Sequence, residues 1–126
     1  MRMLNITAIA IGAALGANLR YVISVWASQR LGASFPYGTL MINLLGCFLI
    51  GVILSLANNR LQLSEPMRLF LVTGLLGGFT TFSSFGYETY SLINSGNWLA
   101  AIMYASTSMI VGLIAVFVGV GVGRIV

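Results

Sequence analysis

Apolar residues in this chain come in long continuous runs, neither alternating as in a half-exposed strand nor confined to one stripe as in a soluble amphipathic helix. A membrane-crossing helix needs about 20 predominantly apolar residues. Four runs meet that length. The first extends from Leu4 to Gln29, interrupted by Asn18 and Arg20. The second extends from Tyr37 to Ala57, opened by Pro36. The third begins near Pro66 and ends near Ile93, and the fourth extends from Trp98 to Gly123. The intervening segments Arg30–Pro36, Asn58–Glu65 and Asn94–Asn97 are short and rich in Gly, Ser, Asn or Pro, as turns are. Residues 1–126 therefore read as a single four-helix transmembrane domain with both termini on one side. Arg2 followed by an apolar run is also how a signal peptide begins, but this run is longer than a signal core and is read as a span.

Composition strengthens that reading. Hydrophobic residues make up 59% of the chain and charged residues 6%, against about 25% charged in an ordinary globular protein. Mean hydropathy is +1.00. So few charges cannot build the polar shell of a soluble fold, which excludes a soluble enzyme, a nucleic-acid binder and a disordered segment. Histidine and lysine are absent, Cys47 is the single cysteine, and Glu65 and Glu88 are the two carboxylates. That inventory leaves little for acid–base or metal-centred catalysis, so the chain is read as a non-enzyme. The net charge of +4 comes from arginines near the ends of the spans. Arg2, Arg60, Arg68 and Arg124 fall on the side of the termini, and Arg30, with Arg20 near it, on the other. This small imbalance only weakly favours termini inside and is compatible with insertion in both orientations.

Small residues predict the packing faces. Ala8, Gly12 and Gly16 recur at four-residue spacing in the first span, and Arg20 continues that stripe, which places it toward protein or water. Ala115, Gly119 and Gly123 do the same in the fourth. One small unit has little interior in which to hide an arginine, an asparagine and a glutamate, so a symmetric dimer is expected.

The third span is the least regular. Its middle reads Gly74-Leu-Leu-Gly77-Gly78-Phe79-Thr80-Thr81-Phe82-Ser83-Ser84-Phe85. Glycines weaken a helix, and Thr and Ser side chains offer the backbone local partners. A break is expected near Gly77–Thr80, and non-helical backbone at membrane depth survives only in protein or against water. Freed carbonyls at such a break can coordinate a cation; the competing reading is a continuous helix with small residues for packing. Beyond the break, Phe79, Phe82 and Phe85 form an aromatic ridge beside a polar stripe of Thr81, Ser84, Glu88 and Ser91. The positive edge of an aromatic ring can face a small anion. Asn43 in the second span, and Tyr104 with Ser108 four residues on in the fourth, are further polar intrusions. The competing reading for Asn43 is an interhelical hydrogen bond, and for Tyr104 and Ser108 it is the ordinary occurrence of such residues in membrane helices.

These segments together resemble the Fluc/CrcB family of fluoride channels: Gly-Ala-Asn-Leu-Arg20-Tyr in the first span, Gly38-Thr39-Leu40 followed by Asn43 in the second, and Gly77-Gly-Phe-Thr-Thr-Phe-Ser-Ser-Phe85 in the third. The resemblance covers essentially the whole chain. It implies an all-α membrane protein with four transmembrane helices and a broken third helix, assembled as an antiparallel dual-topology homodimer in the bacterial inner membrane. It implies passive export of fluoride, conferring fluoride resistance, along a pathway matching Asn43, Thr81, Phe82, Ser84, Phe85, Tyr104 and Ser108. Arg20 matches a vestibule residue and Glu88 a carboxylate by the pore. It further implies a structural sodium ion at the dimer centre, held by the main-chain carbonyls of Gly77 and Thr80. Gly112 and Val116 stand where the family often has hydroxyls, so its pattern does not carry over to the far end of the fourth-helix track. The alternative is a small multidrug-resistance-type proton-coupled exporter. That class depends on a carboxylate in the first span, where this chain has only Arg20. A membrane scaffold without transport would need neither the broken helix nor Asn43.

Overall fold

A computed structural model describes all residues, Met1–Val126. It is entirely helical. Helix α1 (Arg2–Leu31) stops at Gly32, whose φ of 88° only glycine adopts without strain. Helix α2 (Tyr37–Asn59) follows, with Pro36 as its N-cap. The third span is composite: α3 (Glu65–Arg68), a π-helical segment Leu69–Leu76, α4 (Gly77–Phe79), two extended residues, and α5 (Phe82–Asn94). A turn through Gly96, again at positive φ, leads into α6 (Trp98–Ile125). Four spans, Arg2–Leu31, Tyr37–Asn59, Glu65–Asn94 and Trp98–Ile125, are long and apolar enough to cross a membrane. The expected turns are present and shorter by a residue or two at most ends.

Backbone-to-backbone contact between small residues holds the bundle together. Gly12 and Gly16 of α1 press on the carbonyls of Phe70 and Leu75, and Gly74 and Gly78 return the contact against α1. Any side chain at Gly12 or Gly16 would overlap main-chain atoms that cannot move aside. On the other side of the bundle Gly51 meets the Val116 carbonyl, Gly119 meets the Phe48 carbonyl and Gly123 meets Ser55. The small-residue stripes of the first and fourth spans are thus packing faces, as their spacing predicts. The two helix pairs, α1 with the first half of the third span and α2 with α6, are tied at one end. There Asn5 Nδ2 donates to Glu65 Oε1 at 2.9 Å, and Arg60 Nη1 donates to the Val126 carbonyl at 2.9 Å. Both termini therefore lie at the same end. Only 18 of 126 residues are buried, so the large apolar side chains point outward, as they must against lipid.

The break falls at Thr80 (φ −82°, ψ 159°) and Thr81 (φ −152°, ψ 118°). The sequence expectation was a break near Gly77–Thr80, and the extended residues stand at the C-terminal edge of that range. Gly78 serves the close approach of α1, Gly77 faces the outside of the bundle, and the threonines end one helix and start the next. Thr80 donates its N–H and its hydroxyl to the Leu76 carbonyl, each at 2.9 Å, closing the upstream segment. Thr81 caps the downstream segment, its Oγ1 accepting the Ser84 N–H at 3.2 Å. The π-helical turns before the break carry no signal in the sequence.

Candidate functional site

Helix α5 is short, and its polar stripe runs between two cavities. One, of about 400 Å³, lies beside the break. It is lined by Asn43, Gly46 and Cys47 of α2, by Leu76, Gly77, Thr80 and Thr81, by Phe82 and Phe85, and by Ser108 of α6. The other, of about 420 Å³, opens near the α1–α2 turn. Its walls carry Ser24 and Ser28 of α1, Ser34, Phe35 and Thr39, and Tyr87, Glu88, Ser91 and Ser95. Thr81 thus belongs to the first cavity, Glu88 and Ser91 to the second, and Ser84 stands between them on the same face of α5.

A stack of rings separates the two. Tyr104 is fully buried. Its ring centroid lies 5.2 Å from that of Phe85, which lines the first cavity, and 5.5 Å from that of Phe35, which lines the second. Phe82 continues the ridge 5.6 Å from Phe85 but is 80% exposed, pointing off the bundle. The Tyr104 hydroxyl donates to Glu88 Oε2 at 2.7 Å, and Thr39 Oγ1 donates to Glu88 Oε1 at 2.8 Å. Each carboxylate oxygen thus accepts one hydroxyl, and no arginine accompanies it.

The donors next to the break divide by whether their hydrogens are already committed. Asn43 Oδ1 accepts the Thr81 N–H at 2.9 Å, and Asn43 Nδ2 donates to the Thr81 carbonyl at 3.0 Å. An amide nitrogen carries two hydrogens, so one remains for the cavity. Thr81 Oγ1 donates to Ser84 Oγ at 3.1 Å, which leaves the Ser84 hydroxyl hydrogen uncommitted. Ser108 Oγ is buried and has no hydrogen-bond partner within the chain, an arrangement that needs a reason because buried polar groups are nearly always paired. The chemistry on offer beside the break is therefore hydrogen-bond donation from uncharged groups, together with the rims of aromatic rings.

The structure brings Asn43, Thr81, Phe82, Phe85 and Ser108 together on one cavity, with Gly77 and Thr80 on its wall. Tyr104 sits in the septum, and Glu88 on the far side of it. Arg20 is brought to neither cavity: it lies at the end of the Gly12–Gly16 stripe that faces the third span. Thr39 was missed as a member of the site. It stands one turn before Asn43 and two before Gly46, on the same face of α2, and that spacing is the signal that could have found it. Gly46 is needed because Thr80 Cγ2 occupies the space a methyl group there would take.

Comparison with known proteins agrees with this architecture. A profile of the family described as CrcB-like protein, Camphor Resistance (CrcB), matches residues 7–120. A protein of Chloroflexus aurantiacus named fluoride-specific ion channel FluC is 66% identical over 122 residues, 97% of each chain. Proteins of the same name from a Roseiflexus species and from Agrobacterium fabrum are 60% and 47% identical, each over 97% of this chain and 98% of the relative. Four spans, a third one interrupted at paired threonines, and similarity along nearly the whole length lead to one conclusion: the chain is a multi-pass membrane protein and belongs to the CrcB family.

Proposed function

We infer that the protein is a fluoride-selective passive channel that lets cytoplasmic fluoride leave the cell. The observation that carries this reading is the cavity at the break, where the unpartnered Ser108 hydroxyl, a spare Asn43 N–H and the rings of Phe82 and Phe85 converge. Fluoride is small and holds its water tightly, so a pore must replace that water with donors at short range. Neutral hydroxyl and amide donors and ring edges do this without a fixed positive charge that would trap the ion. Ser84 continues the donor series along α5 toward the Glu88 cavity. The carboxylate of Glu88 accepts the Thr39 and Tyr104 hydroxyls, so those donors become available to an anion only as Glu88 gives them up. The names of the relatives support fluoride as the ion.

The working unit in this reading is an antiparallel dual-topology homodimer. The outward-facing Phe82 and the open side of the break leave polar backbone at membrane depth that lipid cannot satisfy, which a second copy would cover. A structural sodium ion fits the donor set at that place. In an unbroken helix the Thr81 N–H would close onto the Gly77 carbonyl; here it goes to Asn43. Gly77 is exposed on the outer side, and its carbonyl with that of Thr80 would hold the ion. When bound, the cation supplies positive charge that offsets the cost of an anion nearby. A membrane-impermeant crosslinker added to cells from one side should reach the same surface on half of the subunits; labelling of all or none would exclude the antiparallel arrangement.

Purified protein in liposomes provides the functional test. The expected result is fluoride release driven by its own gradient and unaffected by a proton gradient. Proton-driven export of an organic cation would instead indicate the exporter class, and no transport would indicate a scaffold.

A further inference from the structure

Asn43 grips Thr81 at two points. Its Oδ1 accepts the Thr81 N–H at 2.9 Å while its Nδ2 donates to the carbonyl of the same residue at 3.0 Å. This pattern matches the N–H and C=O of one extended residue, which point to the same side of the chain, and it holds Thr81 in the conformation that interrupts the third span. The Thr81 N–H has one competing acceptor built into the chain. Rotation of Thr80 and Thr81 back to helical angles would return it to the Gly77 carbonyl, as in any continuous helix. Asn43 and the Gly77 carbonyl therefore compete for a single hydrogen. While Asn43 holds it, the Gly77 carbonyl lacks its helical donor. It does so at a residue open to the outside of the bundle, where only the Val72 carbonyl comes within 4 Å of a Cβ position. Gly46 makes the clamp geometrically possible, because its missing side chain lets Thr80 lie against α2.

We propose that Asn43 is a positioning residue for the cation site: by sequestering the Thr81 N–H it keeps the Gly77 carbonyl out of the helix and free to bind sodium. This rests on the sodium reading given above. Loss of the acceptor half of the amide lets the helix close and removes a ligand from the ion. Loss of the donor half leaves the competition decided in the same direction. The two halves of one side chain are thus unequal, and only the acceptor governs the cation.

Gly77–Gly78 is the only Gly–Gly pair in the sequence, so labelling glycine with both carbonyl ¹³C and ¹⁵N selects the Gly77 carbonyl alone in a ¹³C–¹⁵N correlation spectrum. Sodium is titrated into the full-length protein against a potassium control, without measuring fluoride flux. In the unmodified protein the Gly77 resonance should move with sodium. In Asn43→Leu it should stand at a helical, hydrogen-bonded position, with a sodium midpoint raised at least tenfold; Asn43→Ala provides the same deletion should the larger side chain prevent assembly. Asn43→Asp, which keeps the acceptor, should respond with a midpoint near that of the unmodified protein. An unchanged midpoint in the Leu and Ala variants overturns the proposal, as does a lost response in the Asp variant. A Gly77 resonance in the unmodified protein that ignores sodium also overturns it. Because no fluoride is transported in the assay, failure of the channel reading in liposomes is a separate result.

Discussion

The two halves of the third span differ in composition, aliphatic and glycine-rich before the threonines and rich in rings and hydroxyls after them, and they do different work. Upstream of the threonines, residues 65–79 are locked against α1 by glycines on both sides, with Gly12 and Gly16 meeting the Phe70 and Leu75 carbonyls. No polar side chain of that half before Thr80 lines the cavity at the break. Downstream, α5 touches its neighbours through rings and hydroxyls: Phe85 stacks on Tyr104, and Glu88 collects the Thr39 and Tyr104 hydroxyls. One half is an anchor fixed by backbone contact, and the other is a lining. Breaking the helix lets a single span serve both purposes, because the direction of its side chains is reset at Thr80–Thr81. Glycine is required where two backbones meet, and small polar donors are required where an ion would pass.

The anchor half should be the more fragile to substitution. Gly16→Val puts a branched side chain into the Leu75 carbonyl and the Phe79 N–H, and overpacking of this kind costs about 3 kcal/mol. Stable, folded protein should be lost on size-exclusion chromatography, and a normal elution profile and melting temperature would contradict the anchoring role of this half. The lining half should lose transport and keep its fold. Ser108→Ala removes the unpartnered buried donor. A hydrogen bond to a charged group is worth about 1.5–3 kcal/mol, so fluoride efflux should fall about tenfold or more, with no drop in melting temperature. Phe85→Ile removes a ring edge worth about 1 kcal/mol and roughly keeps the volume, so efflux should fall about fivefold with assembly intact. Phe82→Ile should act in the same sense. Thr89→Val is the negative control within α5. The Thr89 hydroxyl bonds only the Phe85 carbonyl of its own helix, at 2.7 Å, and stability should move by less than about 0.5 kcal/mol with efflux unchanged.

The four spans were legible because apolar run length is nearly all that a membrane helix requires. Their ends agree with the sequence expectation to within a few residues: Leu4–Gln29 was expected for α1, found at Arg2–Leu31, and Gly123 for the end of α6, found at Ile125. The packing faces were legible because only glycine and alanine permit contact between backbones. The break itself was legible from the density of glycine and hydroxyl residues, expected near Gly77–Thr80 and found at Thr80–Thr81. Gly77 and Gly78 can each be a hinge or a contact residue, and only the nearness of α1 makes Gly78, with Gly74, a contact residue, whereas Gly77 meets just the Val72 carbonyl of its own span. The π-helical segment Leu69–Leu76 has no counterpart in the sequence pattern. Thr39 could be placed in the site only by its position one turn before Asn43; its pairing with Glu88 was hidden because the two lie 49 residues apart, a separation that no local pattern spans. The pairing of Asn43 with the Thr81 backbone is hidden for the same reason.

Contact between fluoride and the rings of α5 can be measured by recoupling ¹⁹F to ¹³C in protein labelled at the phenylalanine rings and held in bilayers with fluoride. The account predicts that ring carbons dephase the signal of protein-associated fluoride, and that the effect is lost when Phe82 and Phe85 are both replaced by Ile. Phe117, which is 70% exposed on α6, should contribute nothing. Absence of dephasing in the unmodified protein, or its persistence in the double variant, would contradict the assignment of α5 as the lining of a halide path.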